Sequence, residues 1–165
     1  MSQNAPAAED FSRSFRNALG RFATGITVVT MRAPTGELVG LTVNSFNSVS
    51  LDPPLVVWSL SSNLPSLKLF EACEYYAINV LAADQEALSQ RFASRMGERF
   101  SGLGYDHGEG GAPLLHGCCA RFVCRNTARH EGGDHVIFVS EVVSFDRSDA
   151  EPLVYFGGAY RHLSP

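Results

Sequence analysis

Apolar positions along the chain follow two different spacings, and the change of spacing separates helical segments from strands. The first segment repeats at the spacing of one helix face, with Asp10 placed to cap the helix start. The apolar side chains on this face are Phe11, Phe15, Leu19 and Phe22. From 26 to 31 the residues are β-branched, and after the turn residues of 33–37 a second run covers 38–43. This pattern predicts an N-terminal helix followed by a β-hairpin.

The middle of the chain alternates short apolar runs with two helical patterns. Residues 55–60 and 75–81 are typical of buried strands. A short helix is predicted over 61–71, capped by Ser62 or Asn63, and a second over 83–93, capped by Asp84. These segments place a strand before each of the two predicted helices.

The last third of the chain is predicted to be mostly β. Residues 94–113 are rich in glycine and poor in large apolar groups, which predicts a surface loop that could act as a lid. Two long strands are expected at about 117–130 and 135–146, joined by turn residues, and a final strand at 153–156 ends at two glycines.

Strands in this pattern are joined mostly to other strands, which decides the fold class. We expect a mainly β protein with peripheral helices, in which six or seven antiparallel strands close into a barrel. A doubly wound parallel sheet would need helices between successive strands. Residues 1–10 are predicted to be a flexible tail and residues 11–165 a single domain.

Composition and charge exclude several classes of function. The chain has 165 residues, a net charge of −4 and 13 basic residues, of which Lys68 alone is a lysine. Nucleic-acid binding needs a concentrated basic face, so we expect no nucleic-acid partner. No apolar run approaches the roughly 20 residues of a membrane-spanning helix, and the N-terminus does not resemble a signal peptide. We therefore expect no membrane association and a cytoplasmic protein.

Residues that could themselves carry chemistry are scarce. The segment HEGGDH (130–135) contains two histidines, but its central glycines make a metal-binding helix improbable and favour a hairpin tip. The four cysteines form no CxxC pair and are expected to be reduced thiols. The glycine-rich stretches do not lie between a strand and a helix, as nucleotide-binding loops do. If the protein is an enzyme, a cofactor is expected to supply the reactivity.

The segment LTVNSFNSVSLDPP (41–54) is the most informative part of the chain. Seven of its 14 side chains are Ser, Thr, Asn or Asp, alternating with apolar residues. Such a segment can lie against a flat ligand that accepts and donates hydrogen bonds. Downstream, Ser61, Ser62 and Ser66 lie near a predicted helix start, which suits a phosphate, and Arg91 could add positive charge. Ordinary turn, cap and surface roles explain each of these residues equally well.

The order of these segments resembles the short-chain flavin reductase family. The resemblance begins with FRNALGRFATGITVVT (15–30) and GLTVNSFNSVSLDPPLV (40–56). It continues through Arg91-Phe92 and GGDHVIFVSEV (132–142), and it ends with PLVYFGGAYR (152–161). It implies an FMN-binding split barrel that forms a homodimer. The implied activity is hydride transfer from NADH or NADPH to FMN or FAD, with a separate monooxygenase as partner for the reduced flavin.

The resemblance also implies which residues hold the ligands. The residues matched to the isoalloxazine segment are Val43, Asn44, Ser45, Phe46 and Asn47, followed by Val49 and Ser50. Those matched to the flavin phosphate and ribityl region are Ser61, Ser62, Ser66, Arg91 and Phe92. Those matched to the nicotinamide side are His135, Tyr160 and Arg161. No catalytic acid or base and no metal ligand is implied, and Ser140 replaces a usual glycine of the family.

Two other classes of function compete with a reductase. A flavoprotein oxidase or oxygenase-like enzyme of the same superfamily would retain its flavin and act on an organic substrate. A non-enzymatic flavin-binding module would bind flavin without oxidising NAD(P)H. Metal or haem binding at the histidines ranks below both because of their spacing.

Overall fold

The computed structural model describes residues 8–95 and 97–163. Its helices are α1 (Ala8–Leu19), α2 (Leu67–Ala72) and α3 (Glu86–Ala93). The strands in the first half of the chain are β1 (Thr24–Gly25), β2 (Thr27–Arg32), β3 (Leu38–Val43), β4 (Asn47–Leu51), β5 (Pro54–Ser61) and β6 (Tyr75–Val80). Those in the second half are β7 (Tyr105–His107), β8 (Pro113–Leu115), β9 (Ala120–Gly132), β10 (His135–Arg147), β11 (Val154–Phe156) and β12 (Ala159–Arg161).

A seven-stranded antiparallel sheet forms the body of the protein. Its strand order is β3-β2-β6-β9-β10-β5-β4, so β3 and β4 are its two edges although they follow one another in the chain. The short connection between them requires the sheet to curl until its edges approach. The predicted mainly β, antiparallel architecture with few helices is confirmed.

The inner face of this sheet encloses an aromatic core. Strand β5 alternates buried and half-buried residues, and Trp58 points to the centre with no exposed surface. The indole ring stacks on Phe138 at 4.7 Å and meets the edges of Phe70 and Tyr76 at 5.3 and 5.5 Å. Its N–H donates to the Tyr76 hydroxyl at 2.8 Å, which satisfies the polar atom of each ring.

A second apolar cluster covers the outer face of β2, which is therefore buried on both sides. Val28 faces this cluster and Val29 faces the aromatic core, and both have no exposed surface. Helix α3 closes the cluster with Phe92, whose ring lies against Gly40 of β3. A Cβ at Gly40 would lie 2.6 Å from a ring carbon of Phe92, so glycine is required for this close approach.

The C-terminal strands form a separate small sheet beside the barrel, in the order β1-β11-β12. Strands β11 and β12 are joined by a two-residue turn, Gly157-Gly158, with positive φ at both positions. This conformation matches the twist of a tight hairpin and favours glycine. The sequence pattern predicted β11 and its end at the glycines but did not predict β12.

Several element boundaries differ from those expected. Helix α1 begins at Ala8, so Asp10 lies within it, and the remaining predicted tail, residues 1–7, lies outside the described residues. The cap positions of the other two helices are Ser66 and Gln85, each without a side-chain cap hydrogen bond. The predicted caps are wrong because both helices begin only after a turn of irregular backbone.

Two segments predicted as irregular contain strands. The segment 94–113 was expected to be a surface loop, yet it contains β7 and the start of β8, which pair with each other. The polar segment 41–54 contains β4 at the sheet edge. All four cysteines are unpaired, as expected, and no described helix is long and apolar enough to cross a membrane.

Candidate functional site

The polar segment lies where the two edges of the main sheet meet. Residues 44–46 connect β3 at one edge to β4 at the other. Backbone pairing between β4 and β5 ends at Asn47 and Val57, and Ser45 adds one further contact to β5 beyond that pair. Its hydroxyl donates to the carbonyl oxygen of Ser59 and accepts from the amide of the same residue, both at 3.0 Å. The Ser45 side chain thus takes the place of a neighbouring strand as hydrogen-bond partner for the backbone of Ser59, near the opening between the two sheet edges.

A cleft of about 220 Å³ lies between this segment, helix α3 and the small C-terminal sheet. The residues that line it are Ile26, Thr42, Val43, Asn44, Ser89, Ala93, Tyr155 and Tyr160. The two tyrosine rings meet edge to face at 5.6 Å and form one wall. Asn44 is exposed, and its carboxamide has no hydrogen-bond partner within the described part of the chain. The cleft therefore combines aromatic surface with a free amide group.

A row of polar side chains continues from this cleft along the outer face of the barrel. We call Ser45, Ser59, Ser61 and His135 the serine strip. Ser59 and Ser61 are two positions apart on β5, so their side chains share a face. His135 is the ladder partner of Ser61 on β10. The cleft and the serine strip meet at the adjacent residues Asn44 and Ser45.

His135 is hydrogen-bonded to Asp134 at the hairpin tip. Its Nδ1 lies 2.7 Å from a carboxylate oxygen of Asp134, and this contact lowers the pKa of that carboxyl. The carbonyl oxygen of Asp134 accepts from the amide of Ser62 at 2.9 Å. The predicted hairpin tip is confirmed, since His130 and His135 lie on β9 and β10 on either side of a tight turn.

The predicted isoalloxazine residues divide into two groups. Val43 and Asn44 line the cleft, whereas Ser45 begins the serine strip. Phe46 turns inward, and its ring lies 5.6 Å from that of Phe122. Asn47 accepts from the amide of Ser48 through its side-chain oxygen at 2.8 Å, which shapes the start of β4.

Val49 and Ser50 lie farther along β4, at an irregularity in its pairing with β5. Val49 is exposed over 53% of its surface, so its side chain has no apolar cover in a single chain. Neither residue lines the cleft. These two positions stay predictions for flavin contact.

The residues predicted for the phosphate region are also divided. Ser61 lies in the serine strip, and Ser62 follows it beside the hairpin tip. Ser66 precedes α2, which has only six residues, and its hydroxyl makes no cap hydrogen bond. The three serines lie on one continuous stretch that leads from β5 into α2.

Arg91 and Phe92 do not line the cleft, because α3 directs both side chains away from it, and their role in flavin binding stays a prediction. Arg91 donates to the carbonyl oxygens of Glu98 and Ser101 and lines a separate cavity. Phe92 has 1% of its surface exposed and packs at 5.0 Å against Phe100. A ring buried in the core cannot contact a ligand in the cleft, so Phe92 contributes to the site only through the packing of α3 against the barrel.

The predicted nicotinamide residues do not form one cluster. Tyr160 lines the cleft, whereas His135 lies at the far end of the serine strip. Arg161 follows Tyr160 at the end of β12 with an exposed side chain. Its guanidinium donates to the Tyr160 carbonyl oxygen at 3.2 Å. A ligand that contacts both Tyr160 and His135 has to extend along the strip.

Sequence reasoning missed Ser89 and Tyr155 of the cleft, and it noted Thr42 in the polar segment without giving it a ligand. Thr42 donates through its hydroxyl to the carbonyl oxygen of Ser89 at 2.7 Å. Ser89, in α3, has no exposed surface and shares a hydrogen bond of 2.9 Å with the Tyr160 hydroxyl. Tyr155 adds the second ring of the wall. Ser89 and Tyr160 are 71 positions apart, and no local pattern signals such a pair.

Ser140, the departure noted in the sequence, lies inside the barrel and not beside the cleft. It is fully buried, and its hydroxyl is hydrogen-bonded to that of Tyr76. Burial raises the pKa of the Tyr76 hydroxyl, which stays protonated at any physiological pH. Ser140 therefore acts in core packing.

The chain is similar to known proteins over almost its whole length. Residues 19–164 match the family described as "Flavin reductase like domain". The chain is 48% identical over 159 residues to "FMN reductase (NADH) SmoA" of Agrobacterium fabrum, covering 96% of this chain and 90% of that one. It is 37% identical to "Stachydrine N-demethylase reductase subunit Stc3" of Rhizobium meliloti, covering 90% of this chain. The alignment spans 64% of Stc3, less than two thirds of its length.

Solved structures give the same result. "NADH:FAD oxidoreductase SgcE6" of Streptomyces globisporus, in complex with NAD and FAD fragments, superposes with a TM-score of 0.90 at 35% sequence identity. The superposition covers 99% of this chain and 98% of that one. Sequence and fold thus agree over nearly the full length of both proteins.

Proposed function

The chain belongs to the flavin reductase-like domain family, and from that premise we propose that it is an NADH-dependent flavin reductase. The reaction is the transfer of a hydride from NADH to FMN or FAD. The observation that carries this proposal is the near full-length match to a relative named as an NADH-dependent FMN reductase. The sequence resemblance to this family is confirmed.

The residues at the barrel opening fit a flavin. Isoalloxazine is flat and apolar on its faces, and its rim carries carbonyl oxygens and ring nitrogens. Tyr155 offers aromatic surface in the wall of the cleft, and Asn44 offers both a donor and an acceptor that are free. Exposed Ser62 and half-buried Ser61 can donate to ribityl or phosphate oxygens farther along. A bound flavin supplies the redox chemistry by accepting the hydride of the reduced nicotinamide.

The protein's own contribution is to fix the two ligands relative to one another. The reacting atoms must approach to roughly 3–3.5 Å, and holding them there removes much of the entropic barrier. The Ser45–Ser59 bridge immobilises the segment that bears Asn44. A fixed carboxamide beside a ring that gains negative charge stabilises that charge without reorganising during the reaction.

His135 and Tyr160 are assigned to the nicotinamide in this proposal. His135 is half-buried, and its hydrogen bond with Asp134 fixes the ring at the end of the serine strip. Its other ring nitrogen positions the ligand by a hydrogen bond, since hydride transfer needs no proton at the carbon. Tyr160 offers the ring face and edge of the cleft wall. Arg161 adds an exposed positive charge suited to the phosphates of the dinucleotide.

A homodimer is part of the proposal. A single chain leaves two apolar surfaces uncovered. One is the α1 stripe, where Phe11, Phe15, Leu19 and Phe22 are 55–72% exposed. The other lies on β4 and on the last part of β10, where the exposed side chains are Val49, Leu51, Val143 and Phe145. Contiguous exposed apolar surface on a small domain is typical of a protein–protein interface. Light scattering of the purified protein measures the oligomeric state directly.

A flavin-dependent monooxygenase is the proposed consumer of the reduced flavin. Several relatives are named as reductase components or subunits of such oxygenases. The proposed location is the cytoplasm, where NADH is available and four unpaired thiols are stable.

The deciding experiment follows the absorbance of NADH and of NADPH with the purified protein. Each is tested with FMN, FAD or riboflavin added, and without added flavin. Rapid oxidation of NADH that depends on added flavin supports a reductase that releases its product. Turnover of NADH without added flavin, by protein that stays yellow, would favour a tightly bound flavin. Flavin binding without any oxidation would contradict the proposed activity.

A further inference from the structure

Ser89 lies in the wall of the cleft and joins three of the elements that form it. It belongs to α3, and it is polar although none of its surface is exposed. Its side-chain oxygen shares a hydrogen bond of 2.9 Å with the hydroxyl of Tyr160 in β12. Its carbonyl oxygen accepts from the hydroxyl of Thr42 in β3 at 2.7 Å. One buried residue is therefore bonded to both walls of the cleft.

The hydroxyl end of Tyr160 depends on this bond, because the other contacts of its hairpin hold the backbone and the ring. Strand β12 has three residues and pairs with β11 at the edge of the small sheet. Strand β11 pairs in turn with β1, and at the turn the Gly157 amide donates to the Gly20 carbonyl oxygen at 2.9 Å. The Tyr160 ring packs against Tyr155 and the second apolar cluster, and these contacts do not reach its hydroxyl.

We propose that Ser89 is a positioning residue, which fixes Tyr160 against the cleft and thereby sets the site that receives the nicotinamide ring. This inference rests on the proposed NADH-dependent flavin reduction. Ser89 touches neither ligand in this scheme, and its effect passes through the tyrosine hydroxyl. Without the bond, the hydroxyl of the half-buried Tyr160 loses its tie to α3, and apolar packing holds the ring less precisely.

Serine suits this position for two physical reasons. Its side chain is small enough for the tight contact between α3 and the barrel, where Thr42 approaches the helix backbone. It also supplies a buried polar atom that needs a partner, and Tyr160 provides one. Ser89→Ala removes the bond but preserves the helix, because alanine is the better helix former. The substitution therefore tests position with little disturbance of the fold.

The experiment compares Ser89→Ala, Tyr160→Phe and the double variant. KM for NADH, KM for FMN and kcat are measured for each, with a thermal melt to verify folding. Thr127→Val serves as the matched control, because it also removes one hydroxyl, which donates to the Val139 carbonyl oxygen on the distant β9–β10 hairpin. We expect KM for NADH to rise roughly three- to tenfold in both single variants, the range for one lost hydrogen bond. KM for FMN should change less than twofold.

The double variant separates positioning from independent effects. If Ser89 acts through Tyr160, the double variant is no worse than either single one. The inference would be overturned if the increases in KM for NADH multiplied in the double variant, or if KM for NADH were unchanged in Ser89→Ala. In either case, NADH oxidation by the unmodified protein would still support the proposed function. If Ser89→Ala does not fold, Tyr160→Phe decides alone, since an unchanged KM for NADH then contradicts the inference. If the unmodified protein does not oxidise NADH, the proposed function itself is contradicted.

Discussion

The hydroxyl of Ser45 ties the segment between the two sheet edges to strand β5 by making two hydrogen bonds to the backbone of Ser59, both at 3.0 Å. Backbone pairing between β4 and β5 starts only at Asn47, so this side chain extends the ladder by one further contact. The segment that the sequence marks as ligand-binding is thereby tied to β5, the strand that carries the downstream serines. Flavin affinity should depend on this bridge.

Ser45→Ala is expected to weaken flavin binding roughly fivefold, because the Asn44 segment becomes free to move. The free energy of unfolding should fall by about 1 kcal/mol or less, since both backbone groups of Ser59 can turn to water. Quenching of flavin fluorescence measures the affinity. Ser48→Ala is the control: Ser48 is exposed on the same edge, and within the described residues its hydroxyl makes no hydrogen bond. Equal affinities for both variants would contradict the role of the bridge.

His135→Ala should raise KM for NADH several-fold and leave flavin affinity nearly unchanged, since the proposal assigns this side chain to the nicotinamide. The loss of one positioning hydrogen bond accounts for about 1 kcal/mol. Steady-state kinetics at varied NADH gives the comparison. His130→Ala is the matched control on the facing strand, opposite Ile137. A collapse of flavin affinity with an unchanged KM for NADH would show that His135 serves the flavin.

The periodicity of the sequence was sufficient to predict most strands and all three helices. Strands β2, β3, β5, β6, β9 and β10 lie close to the expected positions because their apolar runs are long. Strand β4 was missed because an edge strand with exposed faces carries few apolar residues. Strand β12 was missed because three residues after a double glycine give no periodic signal.

The candidate site could be predicted only in part, since its geometry depends on strand order. No local sequence pattern shows that β3 and β4 are opposite edges of one sheet. The division of the predicted ligand residues between the cleft and the serine strip follows from that strand order. The same limit explains Arg91 and Phe92, because a helical pattern does not indicate what each face meets. In α3, Ser89 and Ala93 face the cleft one turn apart, and the two residues between them that resembled binding residues face elsewhere.

Arg91→Lys should loosen the loop after α3 without weakening flavin binding. The Arg91 guanidinium reaches two carbonyl oxygens, those of Glu98 and Ser101, and a lysine ammonium lacks that planar fork. We expect faster proteolysis within residues 97–101 and a flavin affinity within twofold of the unmodified protein. Limited proteolysis and fluorescence quenching, run side by side, test both parts. A tenfold loss of flavin affinity with unchanged proteolysis would restore the phosphate-binding role.

Acid should destabilise the protein partly through Asp106. Hydrogen bonds from His116 and then Arg121 hold the pKa of this carboxyl below its ordinary value of 3.8. A carboxyl with a lowered folded pKa stabilises the fold above its ordinary pKa, and this stabilisation is lost as the pH falls through the folded value. Asp106→Asn should therefore be less stable than the parent near pH 7, and the difference should shrink as the pH falls below the ordinary pKa of 3.8. Urea midpoints measured at neutral pH and in a series of acidic buffers test this, and a constant difference would contradict the assignment.

Ser140→Ala should lower stability and leave catalysis intact, which distinguishes a core role from a role beside the nicotinamide. The Tyr76 hydroxyl accepts from Trp58 and is hydrogen-bonded to Ser140, and all three side chains are fully buried. Removing the serine hydroxyl leaves a buried polar atom without its partner, which costs about 1–3 kcal/mol. Chemical denaturation gives the stability, and KM for NADH and FMN should stay within twofold. A raised KM for NADH with unchanged stability would instead indicate that Ser140 influences the nicotinamide site.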